Sequence, residues 1–191
     1  MQYFRLIGIS ASFALGLSLS TVANAQGPES RYINFNLDAC ETIERDEESG
    51  AIIQRCNDEG DYEIYVAEGD LRYFIGYGPN GLNQRAFSQT LAPFNHVNNV
   101  VELRQYEGES EPYAAILRYY TDSGMGDDNA KGEVLVVTKL DGGEACHMAY
   151  IDARANPNAN ELAREIADGD EGFDCLKDDP QVIGETGVSP M

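Results

Sequence analysis

The sequence predicts an α+β domain, an antiparallel sheet of about six or seven strands with one C-terminal helix packed on a face, held by two disulfides. Three observations carry that expectation. Short segments of alternating apolar residues are punctuated by Gly-, Asp- and Asn-rich turns. A single stripe at helical spacing occurs near the C-terminus. Four cysteines follow an N-terminal stretch that reads as an export signal.

That signal is Arg5, then the apolar run Leu6 to Val22, then Ala23-Asn24-Ala25, a small-x-small cleavage site. Residues 1–25 are expected to be removed, leaving a single domain over 26–177 and a disordered tail over 178–191. No cysteine follows the run, so a lipoprotein is not expected, and the location is periplasm or extracellular space. No membrane insertion is expected after cleavage.

Tyr32 to Leu37 alternates weakly and predicts the first strand. Cys40 to Glu44 and Ala51 to Cys56 flank the polar loop Asp46-Glu47-Glu48-Ser49-Gly50, which predicts a hairpin with the cysteines opposite each other. Tyr62 to Ala67 is β-branched and aromatic, and Glu68-Gly69-Asp70 turns it into Leu71 to Tyr77. Gly78-Pro79-Asn80-Gly81 stops that strand, because proline cannot donate to the ladder. Leu82 to Pro93 carries the weakest pattern and predicts a short helix or ordered loop.

Val100 to Tyr106, Tyr113 to Thr121, Glu133 to Lys139 and Ala145 to Asp152 complete the strands. Their short connections require antiparallel neighbours. Asn156 is a good N-cap and Pro157 suits the first helical position. Ala159, Leu162, Ala163, Ile166 and Ala167 then form one apolar stripe, with Glu161, Arg164, Glu165 and Asp168 outward and Gly169 ending the helix.

An even cysteine count in an oxidising compartment predicts disulfides, and spacing favours Cys40–Cys56 and Cys146–Cys175 among three formal connectivities. A metal site is the weaker alternative. There is no C-x-x-C pair, and Cys146 and His147, as strand neighbours, point to opposite faces.

The 191-residue chain carries 33 acidic against 13 basic side chains, a net charge of −20, and loss of the leader removes one more arginine. Such a surface repels nucleic acid and anionic lipid, and attracts a cationic partner protein. Net charge also serves solubility alone, which is the simpler account of it.

The segments Ala145-Cys146-His147-Met148-Ala149-Tyr150-Ile151-Asp152-Ala153 and Asn156-Pro157-Asn158-Ala159-Asn160-Glu161-Leu162-Ala163-Arg164 resemble a family of small secreted proteins of Gram-negative bacteria. Val66 to Arg72, Leu91 to Asn95, Glu102 to Arg104 and Ala115 to Arg118 fit the same pattern. Leu103, where an aromatic is more usual, and the acidic run Cys56 to Glu59 depart from it. The resemblance implies secretion and the fold class, and it carries no activity.

No catalytic, metal or phosphate motif stands out, so no cofactor is expected. Asp122 to Glu133 has the length of a calcium loop, but Gly124 and Gly126 stand where ligands belong and Asp127 where glycine belongs. The candidate binding residues are Arg72, Glu102, Arg104 and Arg118, on adjacent strands, together with His147. Cross-strand ion pairs on a solvated face are the competing account of the four charges, and the favoured one. His147 lacks a nucleophile motif beside it, and a structural role at the sheet surface is expected. The ten tyrosines beyond the leader read as packing at strand spacing. The expected function is a non-catalytic binding or interaction module recognising a cationic protein such as a wall-degrading enzyme. The alternative is a small envelope hydrolase using His147 and nearby carboxylates.

Overall fold

A computed structural model describes residues 27–57, 62–125, 131–169 and 172–191. The leader at 1–25 lies outside the described residues. Among the described residues, ten strands and one α-helix build three layers. Sheet A holds six strands in the order β1 (Pro28–Asn34), β6 (Phe94–Tyr106), β7 (Ala114–Asp122), β8 (Lys131–Asp141), β9 (Glu144–Asp152) and β10 (Gln181–Ile183). Sheet B is the four-stranded meander β2 (Glu41–Arg45), β3 (Ile52–Asn57), β4 (Glu63–Gly69) and β5 (Arg72–Tyr77). All pairings are antiparallel except β10 against β9. Among the described residues, no helix is long and apolar enough to cross a membrane.

One expected sheet is therefore two, and the cause lies in the middle strands. Ala114 to Leu117 and Val134 to Val137 are unbroken apolar runs, which fit strands covered on both faces rather than one. Leu117, Tyr119, Val134 and Val136 point toward sheet B, where they meet Ile64, Val66, Ile75 and Tyr77. Ile116, Leu135, Val137 and Ile151 point the other way, under helix α1 (Ala159–Asp168). Fully burying residues of this size contributes roughly 1.5–3 kcal/mol each.

The most deeply buried helix positions are Ala159, Ala163 and Ala167, while Leu162 and Ile166 flank them half-buried. Small side chains let the helix axis approach the sheet closely, so the larger ones are displaced to the sides. The N-cap position is Asn158 rather than Asn156. Asn156 is buried and bonded elsewhere: its Nδ2 donates to the Asp152 and Glu185 carbonyls, and Glu185 N–H donates to its Oδ1.

The segment expected to be a disordered tail carries a strand. β10 adds to the edge of sheet A, and Ser189 is buried against Asp152. Hydrophobic periodicity cannot report a segment fastened by polar contacts, which is why the sequence pattern missed it.

Both expected disulfides are present. Cys40–Cys56 closes the β2–β3 hairpin, and Cys146–Cys175 ties β9 to the segment after α1. The stretch after β5, which carried the weakest pattern, forms two short 3-10 turns, Gly81–Asn83 and Arg85–Ser88, and fastens sheet B to sheet A. Gln84 accepts from Tyr77 N–H and donates to the carbonyls of Tyr77 and Gly143, and Gln89 Oε1 accepts from His147 N–H. A Cβ on Gly76 would sit 2.3 Å from Gly81 O, so only glycine lets the first turn approach β5.

Candidate functional site

The five residues singled out from the sequence do not form one site. Arg72 lies on sheet B, where it pairs with Asp70 at 2.6 Å, donates to Ala92 O and stands over the Phe94 ring. Glu102, Arg104 and Arg118 do share a face of sheet A, but it is the helix-covered face. Arg104 makes a two-pronged contact with Asp168, Nε to Oδ1 at 2.9 Å and Nη2 to Oδ2 at 2.7 Å. Glu102 receives Arg164 Nε at 2.6 Å and Ser30 Oγ at 2.5 Å. Arg118 donates to Glu133 at 2.8 Å. All four are in ion pairs, but only Arg118–Glu133 is cross-strand: Glu102 and Arg104 pair with Arg164 and Asp168 of a helix face expected to point outward, and they lie on the covered rather than a solvated face. Arg164 and Asp168 reach around the helix flank to the sheet, as long or edge-placed polar side chains can.

His147 is in the interior, not at the sheet surface. It is 1 % exposed, its Nδ1 is 3.0 Å from the Tyr150 hydroxyl, and the two rings meet edge to face. The register of β9 shifts between the Val137–Ala149 and Thr138–His147 pairs, so one extra residue, Met148, enters the strand. That bulge sends both Met148 and Ala149 toward the helix and brings His147 and Tyr150, three residues apart, to the same face. Strict alternation places those two on opposite faces, which is why the pairing is invisible in the sequence. Burial, with the Arg85 charge nearby, lowers the His147 pKa to about 3. The enclosed imidazole lines neither of the two recesses described below.

Of the loop with calcium-site length, residues 126–130 lie outside the described residues. At its ends, Asp122 accepts from Gly124 N–H and Glu133 is engaged by Arg118.

Two of the open recesses lie at opposite ends of sheet A. The larger, about 700 Å³, lies beside the β4–β5 turn and the start of β6. Its apolar wall is Leu71, Tyr73 and Phe94, and a stacked His96–Tyr120 pair with centroids 5.0 Å apart closes one side. Glu68, Asp122 and Glu133 line it together with Lys131 and Arg154, so its charge is mixed. The turn itself is unusual. Asp70 and Leu71 both adopt left-handed backbone, at φ 52° and 59°, although Gly69 stands next to them. Asn95 holds this register, its N–H donating to Leu71 O and its Oδ1 accepting from Tyr73 N–H. Leu71 is thereby presented 62 % exposed at the rim.

The second recess, about 520 Å³, lies where β6 passes into β7 and β8 ends. Tyr106 and Tyr113 form its aromatic wall, with centroids 4.9 Å apart and rings tilted by 41°. Glu109, Glu111 and Asp141 line it, and no Lys or Arg does. Burial and the hydrogen bond from the Tyr113 hydroxyl to Asp168, 2.7 Å long, push the Tyr113 pKa up, so the phenol keeps its proton. No signal in the sequence marks this recess, since its parts come from two hairpin ends far apart in the chain.

Searches of family models, curated proteins and solved structures return no match to this chain.

Proposed function

We propose that the protein is a non-catalytic binding module of the cell envelope or its surroundings, whose partner is a cationic protein such as a wall-degrading enzyme. One observation carries this reading. The acids greatly outnumber the bases, and several arginines are already engaged within the chain: Arg104, Arg118 and Arg164 pair with acids in the α1–sheet A layer, and Arg85 with Asp179 and two backbone carbonyls. With 33 acidic side chains in the sequence, the outward field is strongly negative. The withdrawal of His147 into the core supports a binding role over a hydrolytic one. Two disulfides fit an oxidising compartment, where such enzymes act.

Surface plasmon resonance against captured lysozyme at a series of salt concentrations tests the reading. Saturable binding is expected, with the association rate falling steeply between 0.05 and 0.3 M salt, on the order of the screening length of about 10 Å at 0.1 M. Binding that is absent, or indifferent to salt, contradicts it.

A further inference from the structure

We infer that the recess between Tyr106 and Tyr113 receives one basic side chain of the partner, its ammonium or guanidinium against the phenol rings and drawn there by the acidic rim of Glu109, Glu111 and Asp141. The choice of a partner's side chain rests on the proposed function; the chemistry of the recess does not. The two rings, 4.9 Å apart and inclined by 41°, give a concave aromatic wall, and Tyr106 is 47 % exposed. An aromatic face attracts a cation through its quadrupole, and more strongly where water is partly excluded. The three carboxylates have no ion-pair partner within 4.0 Å among the described residues, and Lys139, which lines the adjoining cavity walled by the same tyrosines, donates to Phe173 O. Charge complementarity therefore selects a cationic occupant.

The walls are already fixed. Tyr113 is bonded through N–H to Arg104 O, through its carbonyl to Leu140 N–H and through its hydroxyl to Asp168. The loop bearing Glu109 is held by Glu109 N–H to Tyr106 O and by Gln105 Nε2 to Glu109 O, both 2.9 Å. Little ordering remains for a ligand to impose, which favours affinity.

The test uses the whole secreted chain, isotope-labelled, titrated with N-acetyl-lysine methylamide and, separately, with its uncharged norleucine counterpart. Saturable NMR shifts are expected at the Tyr106 and Tyr113 rings and the backbone of 107–112 and 141, with the lysine probe alone. Affinity is expected to fall at least fivefold in Tyr106→Ala and in Glu109→Gln/Asp141→Asn. The distant, charge-matched Glu44→Gln/Glu47→Gln is expected to keep it within twofold. Shifts spread over the whole acidic surface, equal response to norleucine, or equal loss in the distant variant each overturn the inference. Lysozyme binding with a silent recess overturns the inference and leaves the proposed function standing. A responsive recess with no bound protein does the reverse.

Discussion

Ser189 grips Asp152 with two atoms, its Oγ donating to Oδ1 at 2.6 Å and its N–H to Oδ2 at 2.7 Å. Asp152 is fully buried at the end of β9, and Val188, Arg154 and Ala155 N–H groups also donate to it. Burial pushes the carboxyl pKa up, but the hydrogen bonds from Ser189, Val188 and Ala155 outweigh this and hold it below the usual range. Asp152→Asn, which forfeits the charge and one acceptor, is expected to cost about 2–4 kcal/mol, and Ser189→Ala about 1–2 kcal/mol. Urea melts measure both. Hydrogen exchange at residues 185–190 is expected to accelerate in each variant, and unchanged protection there contradicts this view of the tail.

His147 makes folding sensitive to acid. Its pKa is about 3 in the folded protein and near 6.5 when unfolded, so between those values the unfolded chain binds the extra proton. The stabilising effect of the neutral imidazole is complete above pH 6.5 and is lost as pH falls, by about 1.4 kcal/mol per pH unit down to pH 3. His147→Gln, which cannot titrate, is expected to flatten this slope. An NMR titration of His147 with its midpoint near pH 6.5 in the folded protein contradicts the assignment.

Leu71 gives the opposite kind of prediction, a gain. A left-handed, largely exposed leucine costs roughly 1–2 kcal/mol of backbone strain and returns little burial. Leu71→Asn or Leu71→Gly is expected to raise stability by about 1 kcal/mol in urea melts. A loss of stability in both variants shows that the leucine side chain is packed more firmly than its exposure indicates.

Arg104 and Asp168 tie β6 to the last turn of α1. The Arg104 side chain is 7 % exposed and that of Asp168 26 %, so Asp168→Ala strands a nearly buried guanidinium. The expected cost is about 2–3 kcal/mol, below the 3–5 kcal/mol of a fully buried pair because Asp168 is partly solvated. Glu161→Ala, on the exposed flank, is expected to change stability by less than about 0.5 kcal/mol. Equal losses from both substitutions contradict the orientation of the helix.

Much of the fold was legible because apolar patterning and turn chemistry agree along β3 to β9. Asp141-Gly142-Gly143-Glu144, for example, closes the β8–β9 hairpin with both glycines at positive φ. The cysteine pairs followed from spacing and hairpin geometry. The register of β5 did not. Gly69-Asp70 is the better left-handed pair, yet Asp70-Leu71 takes the turn, because Asn95 fixes it from another sheet. The Met148 bulge is likewise a tertiary choice, and it decides whether His147 meets solvent or Tyr150. The Tyr106–Tyr113 recess depends on where two loops end in space, which spacing along the chain does not encode.

The side chains around β5 have a consequence for how the protein behaves when crowded. Asn95 and Thr90 answer both backbone groups of Tyr73, and Gln84 answers both of Tyr77. On the opposite margin of the same sheet, β2 is charged at Glu41, Glu44 and Arg45 and its pairing is irregular between Thr42 and Glu44. An extended segment of another molecule finds neither margin ready to accept it as an added strand. Strand-by-strand polymerisation from sheet B is thereby obstructed on both sides, once by occupied hydrogen bonds and once by charge.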